Sequence, residues 1–282
     1  MKKYTLAWGS ILISLACSVQ AQTNTIHSYH IGNSLTFGAV PALKPVLQAR
    51  GASAECGWSV LWGSSLSQIW DKAGAPSNTS PQGSFTNALT QNTWDVLTLQ
   101  SWGANFEGDK GDIALAKKFI ELALPKSPNI QVYIYETWPF NNKGDTRSFE
   151  QKWSRNFPKP GEWDSVWNAT YCKELVKRIN QEMPNLKNPV RLIPAGSVIA
   201  ELDKQIRAGR VTDMKKIEEL YRDNIHLNSA GNYLVRCTLY AVMMKDSPVG
   251  LPIPDDVAAT LGKAIQEAAW KVVCETELTG VK

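Results

Sequence analysis

The chain has 282 residues, with 30 Lys+Arg against 26 Asp+Glu, three histidines and five cysteines. A formal charge of +4 is too weak for a duplex nucleic-acid binder, which carries a concentrated basic patch, and 43% hydrophobic with 20% charged residues describes a foldable chain rather than a disordered one. Three histidines leave few candidates for any imidazole-based mechanism.

Residues 1–21 read as a secretory signal. Lys2 and Lys3 form the positive start, Leu6–Ala16 the apolar run, and Val19-Gln20-Ala21 the small-residue approach to a cut before Gln22. Losing Lys2 and Lys3 leaves a mature charge of about +2. The apolar run is short for a bilayer span, and no later run of about 18 apolar residues follows, so no integral membrane segment is expected after signal removal. An uncleaved anchor and lipid attachment at Cys17 are the alternatives, although Ser14-Leu15-Ala16 matches the usual approach to a lipidated cysteine poorly. Residues 22–282 are then one periplasmic or secreted domain. Cys56, Cys172, Cys237 and Cys274 remain, without C-x-x-C spacing. They fit either one or two disulfides or buried free thiols.

Short β-like runs alternate with longer helix-like ones. Strands are expected at Ile26–Ile31, Ala52–Trp58, Asp95–Gln100, Ile130–Glu136 and Pro189–Pro194. A helix capped by Asp112 runs to Leu124, another spans about Ser165–Met183, and two more cover about Ser229–Lys245 and Asp255–Glu277. This order predicts a three-layer α/β/α, flavodoxin-like sandwich around a central five-stranded parallel sheet, with its site beyond the carboxyl ends of the strands. Pro139–Gly161 is a long polar segment that also holds Phe140, Phe149, Trp153 and Phe157. Following the fourth strand directly, it reads either as a lid or substrate-contacting loop or as a surface insertion.

The chemistry starts at Gly32-Asn33-Ser34-Leu35-Thr36, where the first strand gives way to a helix. A serine hydroxyl is a weak nucleophile and needs an adjacent base and waiting oxyanion donors. A strand-to-helix turn supplies exposure and free N–H groups. The base must be His27, His30 or His226. His30 belongs to the first strand and His27 lies near its start. His226 sits in the polar Asp223-Asn224-Ile225-His226-Leu227-Asn228 segment, and Asp223, three residues earlier, is placed to accept from Nδ1–H and orient the ring. A plain Asx-type turn carrying a surface histidine fits the same segment.

Taken together, these blocks resemble the SGNH/GDSL hydrolase superfamily. Gly32-Asn33-Ser34-Leu35-Thr36 is similar to its first block, with Asn33 where many members carry Asp, and Asp223-x-x-His226 to its last. The resemblance implies a Ser34, Asp223, His226 triad and an oxyanion hole made by the N–H groups of Ser34 and Gly63, in Leu61-Trp62-Gly63-Ser64-Ser65. The usual Gly-x-Asn-Asp after the third strand is missing. The resemblance then leaves Gln100, in Leu99-Gln100-Ser101-Trp102-Gly103, as a third oxyanion donor or as a hydrogen-bonding partner of the loops, with Asn105 a weaker substitute.

Trp58, Trp62, Trp102 and Trp138 follow or end strands, and indole faces suit sugar rings, so Trp62, Trp102 and Trp138 are candidate substrate-binding residues. Lys143, Arg147, Lys152, Arg155 and Lys159 fit either an acidic polysaccharide or a solvated basic face. No metal-ligand motif, phosphate loop or dinucleotide fingerprint occurs, so neither metal nor cofactor is expected. The expectation is an exported serine esterase that removes an acyl group, acetyl first, from a carbohydrate. Lipid, thioester and aryl esters are alternative substrates, and a non-catalytic glycan-binding protein of the same fold is the alternative from another class.

Overall fold

The computed structural model describes residues 25–103, 105–154 and 169–282. The signal reading of residues 1–21, Cys17, the start of the helix expected at Ser165, and Arg155, Phe157 and Lys159 lie outside the described residues.

Five parallel strands form where the β-like runs predict them: β1 (Thr25–Gly32), β2 (Ser53–Val60), β4 (Val96–Gln100), β5 (Gln131–Tyr135) and β6 (Arg191–Ile193). A sixth, β3 (Asn78–Thr79), is only two residues long and pairs antiparallel on the β2 edge. The sheet order is β3-β2-β1-β4-β5-β6. The chain leaves β1 for β2 on one side and later returns to β4 on the other. Strand order therefore reverses between β1 and β4, and a crevice opens there at the carboxyl ends.

Alternation along each strand sorts side chains between two cores. Tyr29, Ile31, Leu97, Leu99, Val132 and Ile134 pack on one face against α3 (Leu66–Asp71), α4 (Phe85–Gln91), α5 (Asp112–Ala123) and α7 (Tyr171–Glu182). Val96, Tyr133 and Tyr135 pack on the other against α1 (Ser34–Ala39), α2 (Leu43–Gln48), α8 (Ala195–Arg207), α9 (Ser229–Met244) and α10 (Ala259–Glu275). The result is the expected three-layer α/β/α arrangement. Helix α8 was not among the expected elements, although Val198, Ile199, Leu202 and Ile206 give it a buried stripe at helical spacing. The segment after β5 is not a uniform loop either, because Ser148 and Gln151 close a capping box that starts α6 (Phe149–Trp153).

Two buried carboxyls are tied to helix starts. The N-cap of α5 is Gly111, not Asp112; Asp112 is the first helical residue and accepts from the Tyr171 hydroxyl at 2.6 Å. Glu136 follows β5, and its Oε2 accepts from the Ser197 amide at 2.8 Å, satisfying an N-terminal donor of α8 that has no side-chain cap of its own. Its Oε1 has no hydrogen-bond partner among the described residues. Burial pushes both carboxyls up to about 7. All four described cysteines are free thiols, with Cys172 in one core and Cys237 in the other.

A carboxyl whose folded pKa lies above its unfolded value is protonated longer in the fold. From the ordinary glutamate range up to about 7, the unfolded chain releases that proton and the folded chain does not, so stability falls as pH rises through this window and the penalty is constant above it. Glu136→Gln removes this contribution: the thermal midpoint, followed from pH 4.5 to 8, should decline less steeply than in the wild type. Parallel profiles for the two proteins would contradict the assignment.

Candidate active site

Gly32 ends β1 beneath the side chains of Thr36 and Gln100. A Cβ at Gly32 would collide with Thr36 Oγ1 and come within 2.6 Å of Gln100 Oε1, so this approach needs glycine. Asn33 is the N-cap of α1, its Oδ1 accepting from the Leu35 amide at 3.0 Å, and Ser34 is the first helical residue. Asn33 Nδ2 donates to the Ser64 carbonyl at 3.3 Å, and the Leu61 amide donates to the Gly32 carbonyl at 3.1 Å. These two bonds join the loop after β2 to the serine loop. Gly63 in that loop has φ +60°, a left-handed conformation that favours glycine. The amides of Ser34 and Gly63 have no hydrogen-bond partner among the described residues.

The histidine comes from a tight loop ahead of α9. Tyr221 bridges to Leu227, the Arg222 amide donates to the His226 carbonyl at 2.8 Å, and the Asn228 amide donates to the Leu220 carbonyl at 2.8 Å. Inside the loop, Asp223 Oδ1 accepts from the amides of Ile225 at 2.9 Å and His226 at 2.7 Å. This is the Asx-type turn, and it coexists with the second arrangement expected of these residues. His226 Nδ1 lies 2.8 Å from Asp223 Oδ2, and Nε2 lies 2.9 Å from Ser34 Oγ. Burial acts to raise the Asp223 pKa, but the two amides and the imidazole outweigh it and bring it down to about 2. An ionised carboxylate only accepts, so Nδ1 carries the ring proton and Nε2 is left to accept from the serine hydroxyl.

Neither of the other histidines reaches the serine. His30 is fully buried, with Nδ1 2.8 Å from Thr98 Oγ1 and Nε2 3.0 Å from Ser28 Oγ, and burial pushes its pKa down to about 3. His27 sits near the start of β1, its backbone and ring both facing Asp95.

Ser34 and His226 open onto a cleft of about 570 Å³. Its walls include Phe37, Trp62, Gly63, Trp102, Arg222 and Asn232. Trp62 is 46% exposed and packs edge-on against Phe37, with centroids 5.1 Å apart. Trp102 lies beside Phe140. Trp138 also lines the cleft, yet it is only 1% exposed and its Nε1–H donates to the Ile225 carbonyl at 2.8 Å. It anchors the histidine loop rather than offering a face to a sugar. Trp58 does not line the cleft; it stands behind Phe37 and donates to Asn78 Oδ1. Phe37 and Arg222 were not among the sequence candidates, although one lies a helical turn after Ser34 and the other directly precedes Asp223.

Gln100 requires a correction. It is fully buried at the end of β4 and does not line the cleft. Its Oε1 accepts from the Asn33 amide at 3.1 Å, the Thr36 amide at 3.2 Å and the Thr36 hydroxyl at 2.7 Å, while Nε2 donates to Asn33 Oδ1 at 2.9 Å. An amide turned into the serine loop in this way is a brace and not an oxyanion donor. Asn105 does not substitute either, since its Oδ1 accepts from the Glu107 amide and its carbonyl from the Asp112 amide, away from the cleft. Two of the loop cations are also committed elsewhere: Arg147 grips Asp145, and the buried Lys152 donates to the Phe140 carbonyl at 3.0 Å. Among the described residues, no group of three or more His, Cys, Asp or Glu could hold a metal ion, and no helix is long and apolar enough to cross a membrane.

No family model matches the chain, and no curated protein is similar to it. Among solved structures, a DUF4886 family protein from Bacteroides uniformis superposes with a TM-score of 0.63 at 20% identity, covering 92% of this chain and all of its own. A family 3 carbohydrate esterase from Clostridium thermocellum gives 0.46 at 13% identity, covering 78% of this chain and 97% of its own. A putative GDSL-like lipase from Parabacteroides merdae gives 0.43 at 12% identity, covering 77% and 94%. The likeness is one of fold: the chain shares its three-layer α/β/α architecture with the DUF4886 family protein.

If Gln100 braces the loop, Gln100→Leu strands two buried amides and one hydroxyl. The expected cost is about 2–4 kcal/mol, read as a lower urea midpoint with an unchanged slope. Gln100→Glu keeps the acceptor for Asn33 and Thr36 but, when ionised, sets a buried carboxylate oxygen against Asn33 Oδ1. Its midpoint should therefore recover toward wild type at low pH, where the protonated carboxyl can donate to Asn33. A midpoint for the leucine variant equal to wild type would remove the brace.

Proposed function

We propose that the protein is an exported serine esterase that removes an acyl group, acetyl first, from a carbohydrate. The observation that carries this reading is the continuous line from Asp223 Oδ2 through His226 to Ser34 Oγ, with contacts of 2.8 and 2.9 Å, at the edge of a cleft bordered by two partly exposed indoles.

In this mechanism Ser34 Oγ attacks the ester carbonyl carbon while His226 Nε2 takes the hydroxyl proton. Asp223 holds the ring and stabilises the imidazolium without becoming protonated, consistent with its depressed pKa. The Ser34 and Gly63 amides, which have no other partner among the described residues, take the developing oxyanion. Collapse breaks the bond to the sugar oxygen, and His226 returns its proton to that leaving alkoxide. Water then attacks the acyl-Ser34 ester, again losing its proton to His226, and the carboxylic acid leaves as Ser34 regains its hydrogen. Phe37, Trp62 and Trp102 hold the ring of the alcohol portion through their apolar faces. Export rests on the Lys2-Lys3 start, the apolar run and Val19-Gln20-Ala21.

Acetate release from a panel of acetylated polysaccharides and from 4-nitrophenyl acetate tests the reading. Ser34→Ala and His226→Ala should each lower kcat by roughly 10⁴-fold or more. His27→Ala should retain most of the activity. A wild type as inactive as Ser34→Ala on every ester would refute the esterase, and a preference for long-chain over acetyl esters would move the substrate to lipid. For export, N-terminal sequencing of protein recovered outside the cytoplasm should begin at Gln22.

A further inference from the structure

We propose that Arg222 makes this cleft selective for an acidic sugar, through a salt bridge to a uronate carboxylate on the substrate. The inference rests on the esterase reading above and narrows its substrate class.

Arg222 lines the same cleft as Ser34 and His226, and its side chain is 68% exposed. Its backbone is fixed, because the Arg222 amide donates to the His226 carbonyl within the tight histidine loop. Its guanidinium, by contrast, donates no hydrogen bond among the described residues. The adjacent carboxylate, Asp223, pairs with it only at long range: Arg222 Nε stands 3.8 Å from Asp223 Oδ2, an ion pair without a hydrogen bond, and the terminal nitrogens make no hydrogen bond among the described residues. Asp223 is already served by two amides and the imidazole. A guanidinium that makes no hydrogen bond among the described residues, on a fixed stem at the rim of an otherwise largely apolar cleft, is a ready partner for a planar anion.

Other cations and aromatics narrow the choice. Arg147 and Lys152 are held by Asp145 and by a carbonyl and neither lines the cleft, and among the described residues Arg222 is the lysine or arginine that does. Phe37, Trp62 and Trp102 give the cleft flat apolar walls, which suit a pyranose ring better than a compact inorganic anion. A sugar that presents both a ring face and a carboxylate satisfies both features. The fit is to a uronic-acid polysaccharide carrying O-acetyl groups.

The test compares O-acetylated polygalacturonate with acetylated xylan free of uronic acid, using wild type, Arg222→Gln, Arg222→Lys and Arg222→Glu. One charge-assisted contact corresponds to roughly 10- to 100-fold in affinity. The acidic-to-neutral ratio of kcat/KM should therefore fall about tenfold or more in Arg222→Gln, mainly through KM. It should fall further in Arg222→Glu and be partly kept in Arg222→Lys. Wild-type preference for the acidic substrate should shrink as salt rises from about 50 to 500 mM, and that dependence should disappear in Arg222→Gln. An equal loss on both substrates would show Arg222 acting through Asp223 and overturn the proposal, as would an unchanged ratio. Failure of the esterase reading is seen separately, as no hydrolysis of 4-nitrophenyl acetate by wild type. Calorimetric binding of de-esterified polygalacturonate to Ser34→Ala, with and without Arg222→Gln, then decides the subsite alone. Weaker binding by the double variant supports it, and equal or absent binding overturns it.

Discussion

The helix that presents Ser34 is six residues long, too short to be stable on its own. Its first turn is held by two side-chain amides. Leu35 donates to Asn33 Oδ1, Thr36 donates to Gln100 Oε1, and the Phe37 amide makes the ordinary helical bond to the Asn33 carbonyl at 3.1 Å. The Ser34 amide is what remains, without a partner among the described residues. Gln100 itself is locked at the end of β4, and β4 lies beside β1 in the sheet. The position of Ser34 thus follows from the register of two central strands at the point where strand order reverses, with the Thr36 amide and hydroxyl of α1 closing on Gln100.

The second half of the site is pinned by different means. The histidine loop carries little core of its own, so its neighbours set its place. Trp138 donates into it at Ile225, the Asn141 amide donates to the Asn224 carbonyl at 2.7 Å, and the Tyr221 hydroxyl reaches back to the Pro139 carbonyl at 2.9 Å. All three link it to the segment that follows β5. Ser34 is therefore referenced to β1 and β4, while His226 is referenced to β5 and α9. The 2.9 Å contact between them spans 192 residues of sequence and depends on the sheet being intact between β1 and β5.

This division explains which parts of the molecule the sequence reveals. The central strands announce themselves most clearly: β4 is buried along its whole length and β5 along all but its first residue, so each carries an apolar or aromatic run, whereas β2 alternates and exposes Glu55. Ser34, Asp223 and His226 are legible because their chemistry demands particular residue types at short local spacing. Helix α8 has a clear stripe at Val198, Ile199, Leu202 and Ile206 but begins directly after Pro194, where a strand has only just ended. The two-residue β3 has no periodicity to detect. Trp138 and Gln100 could not be placed from the sequence. A tryptophan at a strand end can show its face to a ligand or turn its N–H into a loop, and a buried glutamine can point either way. Their orientation is set by partners at Ile225 and Asn33, 87 and 67 residues away.

Carboxyl groups at the carboxyl edge of the sheet show what decides where charge resides. Asp223 accepts from amides of its own loop and Glu136 from an amide in the first turn of α8, yet the two are driven in opposite directions. Asp223 keeps contact with solvent and gathers two amides and an imidazole, so its charged form is stabilised. Glu136 is buried with the Ser197 amide on Oε2 and no hydrogen-bond partner on Oε1 among the described residues, and what Ser197 and Lys173 contribute does not offset the loss of water. Negative charge is therefore retained at Asp223, beside His226, and suppressed at Glu136. That charge is met from within its own loop by Ile225 and His226, and the neighbouring Arg222 pairs with it only at 3.8 Å, without a hydrogen bond.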